Sequence, residues 1–170
     1  VRRVMWCVKK GFAEVYIRNF QRNMKVIQSK IWRCLIIPGL VDLHTHAPQY
    51  AFRGLGMDLE LLDWLNTHTF PEEMKYANVD YAKEAYTMFV EDLKKSAVTR
   101  AVIFATLHVE GTKVLMDLLE DSGLDTYVGK VSMDRNALEG LQEESAKEAS
   151  AAVRQWLLET EGIMSIPNLF

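Results

Sequence analysis

The feature that most constrains this chain is a threefold alternation, beginning at residue 35, between short apolar runs and segments whose apolar residues recur at helical spacing. Leu35-Ile36-Ile37, a Pro38-Gly39 turn and Leu40-Val41-Asp42-Leu43-His44-Thr45-His46 read as the first strand. After it, Asn78 caps a helix in which Ala82, Ala85, Tyr86, Phe89, Val90 and Leu93 fall on one apolar face. Thr99–Leu107 is β-branched and aromatic over its centre, reads as a buried strand, and delivers His108 at its C-terminal end. A second helix over Thr112–Asp121 packs through Val114, Leu115, Leu118 and Leu119, and Gly123 ends it. Tyr127–Met133 is the third strand, followed by a helix with Ala146, Ala149, Val153, Trp156 and Leu157 on one face. Strands that alternate with helices pair in parallel through right-handed crossovers. The expected class is therefore α/β, either an open doubly wound sheet or part of a (β/α)8 barrel. A whole barrel takes about 250 residues, so a chain of 170 residues would carry fewer than half of its strands. Ile163–Phe170 begins like a fourth strand.

Between the first strand and its helix lies a long connection, Ala47 to Asn78, with many large apolar residues; it should pack as a lid or an interface. Composition narrows the rest. The longest apolar stretch, Cys34 to Val41, contains Pro38 and Gly39 and falls far short of the ~20 residues that span a bilayer. Two cysteines, Cys7 and Cys34, make neither a disulfide framework nor a four-thiolate zinc site, and with no secretory leader in view a reducing cytosol is expected. The net charge of -3 hides a break: residues 1–34 hold nine Lys or Arg against Glu14 alone, and the remainder holds 11 basic and 22 acidic side chains. The first 34 residues scatter Arg and Lys among Trp6, Phe12, Tyr16 and Phe20 and read as a mobile basic extension. The chain begins at Val1, so a processed start or a piece of a longer product is expected.

The residues with chemistry cluster on the first strand. Positions i, i+2 and i+4 share a face, so Asp42, His44 and His46 should project together, with Val41, Leu43 and Thr45 on the other side. Neutral imidazoles suit zinc and related ions, and Asp42 could accept from a histidine ring and fix its tautomer. In parallel α/β sheets catalytic groups gather at the carboxyl ends of strands, where His44 and His46 lie. A catalytic zinc usually takes at least three protein ligands plus water; the other ligands are not evident here. His108 also ends a strand, where a capping role and a site role are both open; His68 in the connection should be exposed. No Cys-x-x-Cys, GxGxxG, P-loop or GxSxG elbow is present, which leaves metal-assisted hydrolysis as the leading chemistry.

Pro38-Gly39-Leu40-Val41-Asp42-Leu43-His44-Thr45-His46 strongly resembles the first barrel strand of the amidohydrolase superfamily. Ala47-Pro48-Gln49-Tyr50, Leu61-Leu62-Asp63-Trp64-Leu65-Asn66, Thr69-Phe70-Pro71-Glu72, Phe104-Ala105-Thr106-Leu107-His108 and Gly129-Lys130-Val131-Ser132-Met133-Asp134 follow in one order. Together they are similar to the guanine deaminase family, over about Ile37 to Glu159. The resemblance implies a partial (β/α)8, TIM-barrel-like metal-dependent hydrolase with about three βα units over residues 35–170, behind the basic extension of residues 1–34. It implies a zinc enzyme that converts guanine and water to xanthine and ammonia in the cytosol, as a homodimer in its full form, with no nucleic acid or membrane partner. By position His44 and His46 would be metal ligands. Gln49, whose amide both donates and accepts, would read the guanine edge. Ala47 and Pro48 would line the same turn, and Trp64 and Phe70 would wall the pocket or lie at a dimer contact, with plain packing the other reading for Trp64.

Three departures qualify the resemblance. Lys95-Ser96-Ala97-Val98-Thr99-Arg100 stands where the family has an Asn-Gly-Thr-Thr-Thr stretch, so a turn glycine is lost and Arg100 enters near the strand start. Residues 1–34 do not look like the β-rich segment that should precede the barrel. The similarity stops after Gly162, and the family's further metal ligands and catalytic carboxylate would lie later. The expectation is a truncated chain, inactive alone. Two other readings stay open: a non-catalytic product that binds a partner through an exposed half-barrel, and an amidohydrolase for a different nitrogen heterocycle, with Gln49 as the discriminator.

Overall fold

The computed structural model describes residues 37–161 in full and the backbone pairing of residues 2–9, 12–19 and 27–32. The chain divides into two compact units, Val1–Pro38 and Gly39–Phe170. In the first, β1 (Arg2–Lys9), β2 (Phe12–Asn19) and β3 (Ile27–Trp32) form an antiparallel sheet in the order β1-β2-β3. This corrects the expectation of a mobile extension without regular structure. The signal was a period of two half hidden by the basic residues: the register sets Val4, Trp6 and Val8 opposite Ile17, Val15 and Ala13. Leu35 and Ile36, the start of the expected opening strand, and the expected fourth strand after Gly162 lie outside the described residues.

The second unit is the α/β fold expected. Its strands β4 (Leu40–His46), β5 (Val98–Phe104) and β6 (Asp125–Gly129) pair in parallel in the order β4-β5-β6, as three units of a TIM-barrel-like fold do. Two short helices, α1 (Leu61–Trp64) and α2 (Phe70–Glu73), lie in the long connection, and α3 (Val79–Lys95), α4 (Val109–Glu120) and α5 (Ala146–Glu159) follow the strands. The core forms where helix faces meet the central strand: Ala82, Ala85, Tyr86, Phe89 and Val90 of α3, Leu115 and Leu119 of α4, and Ala101 and Ile103 of β5 are all buried. Asn78 caps α3 as its sequence position indicates, its side chain accepting from the Asp80 and Tyr81 amides at 2.9 and 3.2 Å.

Several boundaries move for physical reasons. α4 starts at Val109 rather than Thr112, with the His108 backbone as its cap residue. Leu157 is 54% exposed, so the buried face of α5 rests on Ala149 and Trp156. β6 stops at Gly129 because Lys130 turns inward. Its side chain is 1% exposed and pairs with Glu143, 9% exposed, at 3.0 Å. Lys130 Nζ also donates to the Val131 carbonyl, and the Met133 amide donates to the other Glu143 oxygen. This buried pair closes the loop between β6 and α5. Arg100, the intruder at the start of β5, is neutralised by Asp125, its register partner on β6, at 2.9 Å. Gly39 is required where β4 begins, because a Cβ there would meet Thr99 side-chain atoms at 2.3 Å. No helix among the described residues is long and apolar enough to cross a membrane.

Two substitutions test this architecture by urea unfolding. Asn78→Ala removes two capping bonds and lowers stability by about 1 kcal/mol. Lys130→Met strands the Glu143 carboxylate in the interior and costs about 3–5 kcal/mol, whereas adding Glu143→Leu restores most of that loss; equal stability of the single and double variants would refute the pairing.

Candidate metal centre

The carboxyl ends of β4 and β5 bring two imidazoles and a phenyl ring together. His44 and His46 follow the strand period and converge, their Nε2 atoms 3.2 Å apart. Phe104, the last residue of β5 and the register partner of His46, lies under both: ring centroids are 4.8 Å away for His44 and 4.7 Å for His46, the latter stacked at 13°. This aromatic floor half-buries His46, while His44 stays exposed. Burial, and next the neighbouring His44 charge, hold His46 below the usual histidine range, so its ring is neutral near pH 7.

Asp42 takes a different place from the one expected. Between Asp42 and Thr45 the β4 register slips, so that Leu43 and His44 stand opposite the single Val102. The bulge frees the His44 amide from the ladder, and the Asp42 carboxylate accepts it at 3.0 Å. Asp42 thus fixes the backbone of a histidine and not a ring tautomer.

The next turn, Ala47–Phe52, is a single 3-10 segment with Ala47 and Pro48 buried and Gln49 and Tyr50 half-buried. Two contacts hold it from outside. Tyr50 donates to Asp92 of α3 at 2.7 Å, and the buried Tyr76 hydroxyl donates to the Pro48 carbonyl at 3.2 Å. In the remainder of the connection Leu55, Met57, Leu61 and Leu62 stay exposed, and its described packing rests on aromatic contacts. Trp64 donates to the Leu55 carbonyl at 3.0 Å and tilts against Phe52, a packing role. His68 is half-buried rather than exposed, stacked at 19° on Phe52 and lying over Gly56.

His108 lies at the end of the β5 loop with Nε2 buried and without a hydrogen-bond partner. Burial lowers its pKa first, and the charge of Lys130 lowers it further. Sequence reasoning did not single out Phe104, the Lys130–Glu143 pair, or Glu73, which is 5% exposed and whose carboxyl is pushed up to about 7 by burial. Phe104 carried a readable signal, a large aromatic at the carboxyl end of a buried strand.

As a donor set, two Nε2 atoms 3.2 Å apart match the ~3.4 Å that two nitrogens at ~2.1 Å from one tetrahedral ion would show. Among the described residues no group of three or more His, Cys, Asp or Glu side chains could hold a metal. The pair therefore fits part of a coordination shell.

Comparison with known proteins bears on what such a site serves. The model of the amidohydrolase family matches residues 35–167. The guanine deaminase of Rattus norvegicus is 43% identical over 125 residues, which is 71% of this chain and 28% of that protein. The guanine deaminase of Escherichia coli is 36% identical over 125 residues, 72% of this chain and 28% of that protein. Among solved structures, guanine deaminase from C. acetobutylicum with guanine bound in its active site superposes with a TM-score of 0.73 at 35% identity, covering 95% of this chain and 42% of that one. The chain thus spans 28% of the length of these curated relatives, and the structural match reaches into residues 1–34, which the sequence matches leave out. The chain belongs to the amidohydrolase family.

Proposed function

We propose that this chain carries the opening part of a guanine deaminase catalytic site, for hydrolysis of guanine to xanthine and ammonia. The observation that carries it is the convergence of His44 and His46 at the carboxyl end of β4, immediately before the turn that bears Gln49. In this reading the two imidazoles hold a zinc ion, which when bound supplies Lewis acidity and lowers the pKa of a water. His46 is prepared for that role by Phe104, since a desolvated ring stays neutral and keeps its lone pair for a cation. Asp42 holds the His44 backbone so that both rings point to one place. Gln49 presents an amide that can donate to and accept from one purine edge, and Ala47 and Pro48 line that turn.

The 170-residue chain alone is read as inactive, because the donors among the described residues supply two ligands and no proton-shuttling carboxylate beside them. The cytosol and a homodimeric full form are part of the same reading. A second reading, a non-catalytic chain that associates through its sheet edge, is favoured by the exposure of Leu40, Val41 and Leu43 on β4 at 53, 55 and 72%.

Two experiments decide. Zinc added to the purified chain should shift the ring resonances of His44 and His46, and His44→Ala should abolish the shift. Binding should weaken as pH falls, and the His46 ring should take up its proton below the ordinary histidine range. In the second, residues 39–161 replace the matching segment of the Escherichia coli enzyme. The chimaera should release ammonia from guanine and not from adenine, and lose at least ~100-fold on His44→Ala, while the isolated chain releases none. Adenine turnover by the chimaera, or chelator-sensitive turnover by the isolated chain, would overturn the assignment.

A further inference from the structure

The turn that bears Gln49 is tied to α3 by contacts that the chemistry above does not use. Ala47–Phe52 is a six-residue 3-10 segment with a proline in its first turn, and short segments of this kind have poor internal hydrogen-bond geometry. Its shape is therefore fixed from outside. Tyr50 supplies the outer anchor: its ring meets the buried Phe89 of α3 edge-on, with centroids 5.4 Å apart, and its hydroxyl donates to Asp92 Oδ2, further along α3, at 2.7 Å. Arg53, which follows the turn, closes the arrangement. Its amide and its Nη1 both donate to the Tyr50 carbonyl, at 3.3 and 3.0 Å, and its guanidinium lies 3.9 Å from the centre of the Tyr50 ring. Arg53 Nη2 also stands 3.9 Å from Asp92 Oδ2, but the two side chains are 54 and 42% exposed and such an ion pair contributes little. The bond from the Tyr50 hydroxyl to a carboxylate is the stronger contact.

We propose that Asp92, acting through Tyr50, is a positioning residue for Gln49. The proposal rests on the reading of Gln49 as the residue that meets the purine. Gln49 lies between two anchored neighbours: the Pro48 carbonyl accepts from Tyr76, and the Tyr50 hydroxyl is held by Asp92. Neither bond involves the Gln49 side chain, so its amide is left for a ligand while the backbone that carries it is fixed on both sides. The two anchors differ in what their loss would do. Tyr76 is wholly buried and belongs to the core, whereas the Asp92 carboxylate is reached from the surface. Releasing Tyr50 thus frees one side of Gln49 with little harm to the fold, and a misplacement of about 1 Å is enough to weaken an oriented contact. The imidazoles are set by Phe104 and by the β4 bulge, and not by this contact. Its loss therefore falls on the binding of guanine and leaves the metal pair as it is.

Amide exchange of the whole chain, read by mass spectrometry, and the kinetics of the chimaera test this. Tyr50→Phe keeps the ring on Phe89 and removes only the donor, Asp92→Ala removes the acceptor, and Asp92→Asn keeps an oxygen in its place. The first two should each speed exchange of residues 49–53 about tenfold, the worth of one charge-assisted hydrogen bond. Asp92→Asn should stay near the natural rate, and the double variant should be no faster than either single, because both remove the same bond. The amides of α3 and the zinc-induced shifts of His44 and His46 should not change. In the chimaera, Tyr50→Phe and Asp92→Ala should raise KM for guanine about tenfold with kcat within about twofold, the pattern of lost binding, and Asp92→Asn should restore it. Glu91→Gln, whose carboxylate pairs with Lys94, should alter neither measurement. A turn that exchanges at the natural rate in Tyr50→Phe, α3 loosening together with the turn, or additive effects of the two variants overturns the proposal. Gln49→Ala in the chimaera separates the two claims. If it leaves KM for guanine unchanged, the reading of Gln49 falls; if it raises KM while Tyr50→Phe does not, the positioning role of Asp92 falls alone.

Discussion

Parallel pairing of three strands is the constraint on which the second unit depends. Because each parallel step needs a crossover, α3 and α4 must return along the sheet, and the carboxyl ends of all three strands are left at one edge. His46, Phe104 and Gly129 end the three strands there. The central strand takes the burial, with Ala101 and Ile103 each at 1%, while Leu43 on the outer strand stays 72% exposed. At the opposite end Gly39 lets β4 start against Thr99, and Arg100 is tolerated because Asp125 faces it from the next strand.

The chemistry follows from what lies beside the histidines more than from the histidines themselves. A His-x-His pair on a solvated strand end would titrate ordinarily and point in many directions. Here Phe104 supplies a stacked surface that removes water from one ring, and the β4 bulge hands the His44 amide to Asp42. Two other buried carboxyls near this edge are stabilised in opposite ways. Glu143 pairs with Lys130 and accepts from an amide, whereas Glu73 has no cation partner among the described residues.

Much of this was legible in order of elements. The α3 face from Ala82 to Val90 and the Asn78 cap appear where spacing and residue type put them, because amphipathic helices bury whatever recurs at their period. The convergence of His44 and His46 was legible too, since a strand repeats every two residues. Three features were not. The β1–β3 sheet was masked by Arg and Lys that break its apolar alternation, and pairing in a hairpin depends on a partner strand that no single segment announces. The role of Asp42 turned on a one-residue slip of register. The exposure of Leu157 reflects which side of α5 meets the rest of the unit.

What the sequence by itself determined is local and periodic: the succession of strands and helices, their caps, the two imidazoles on one side of a strand, and the motifs shared with one hydrolase family. What the tertiary structure decided is which of those groups lose water and to whom they are joined. Phe104 reaches His46 from 58 residues away, counted along the chain, and Tyr76 reaches Pro48 across 28. Desolvation, and the shifts of charge that come with it, depend on neighbours distant in sequence, so only folding could make His46 a desolvated ring and Glu73 a buried acid.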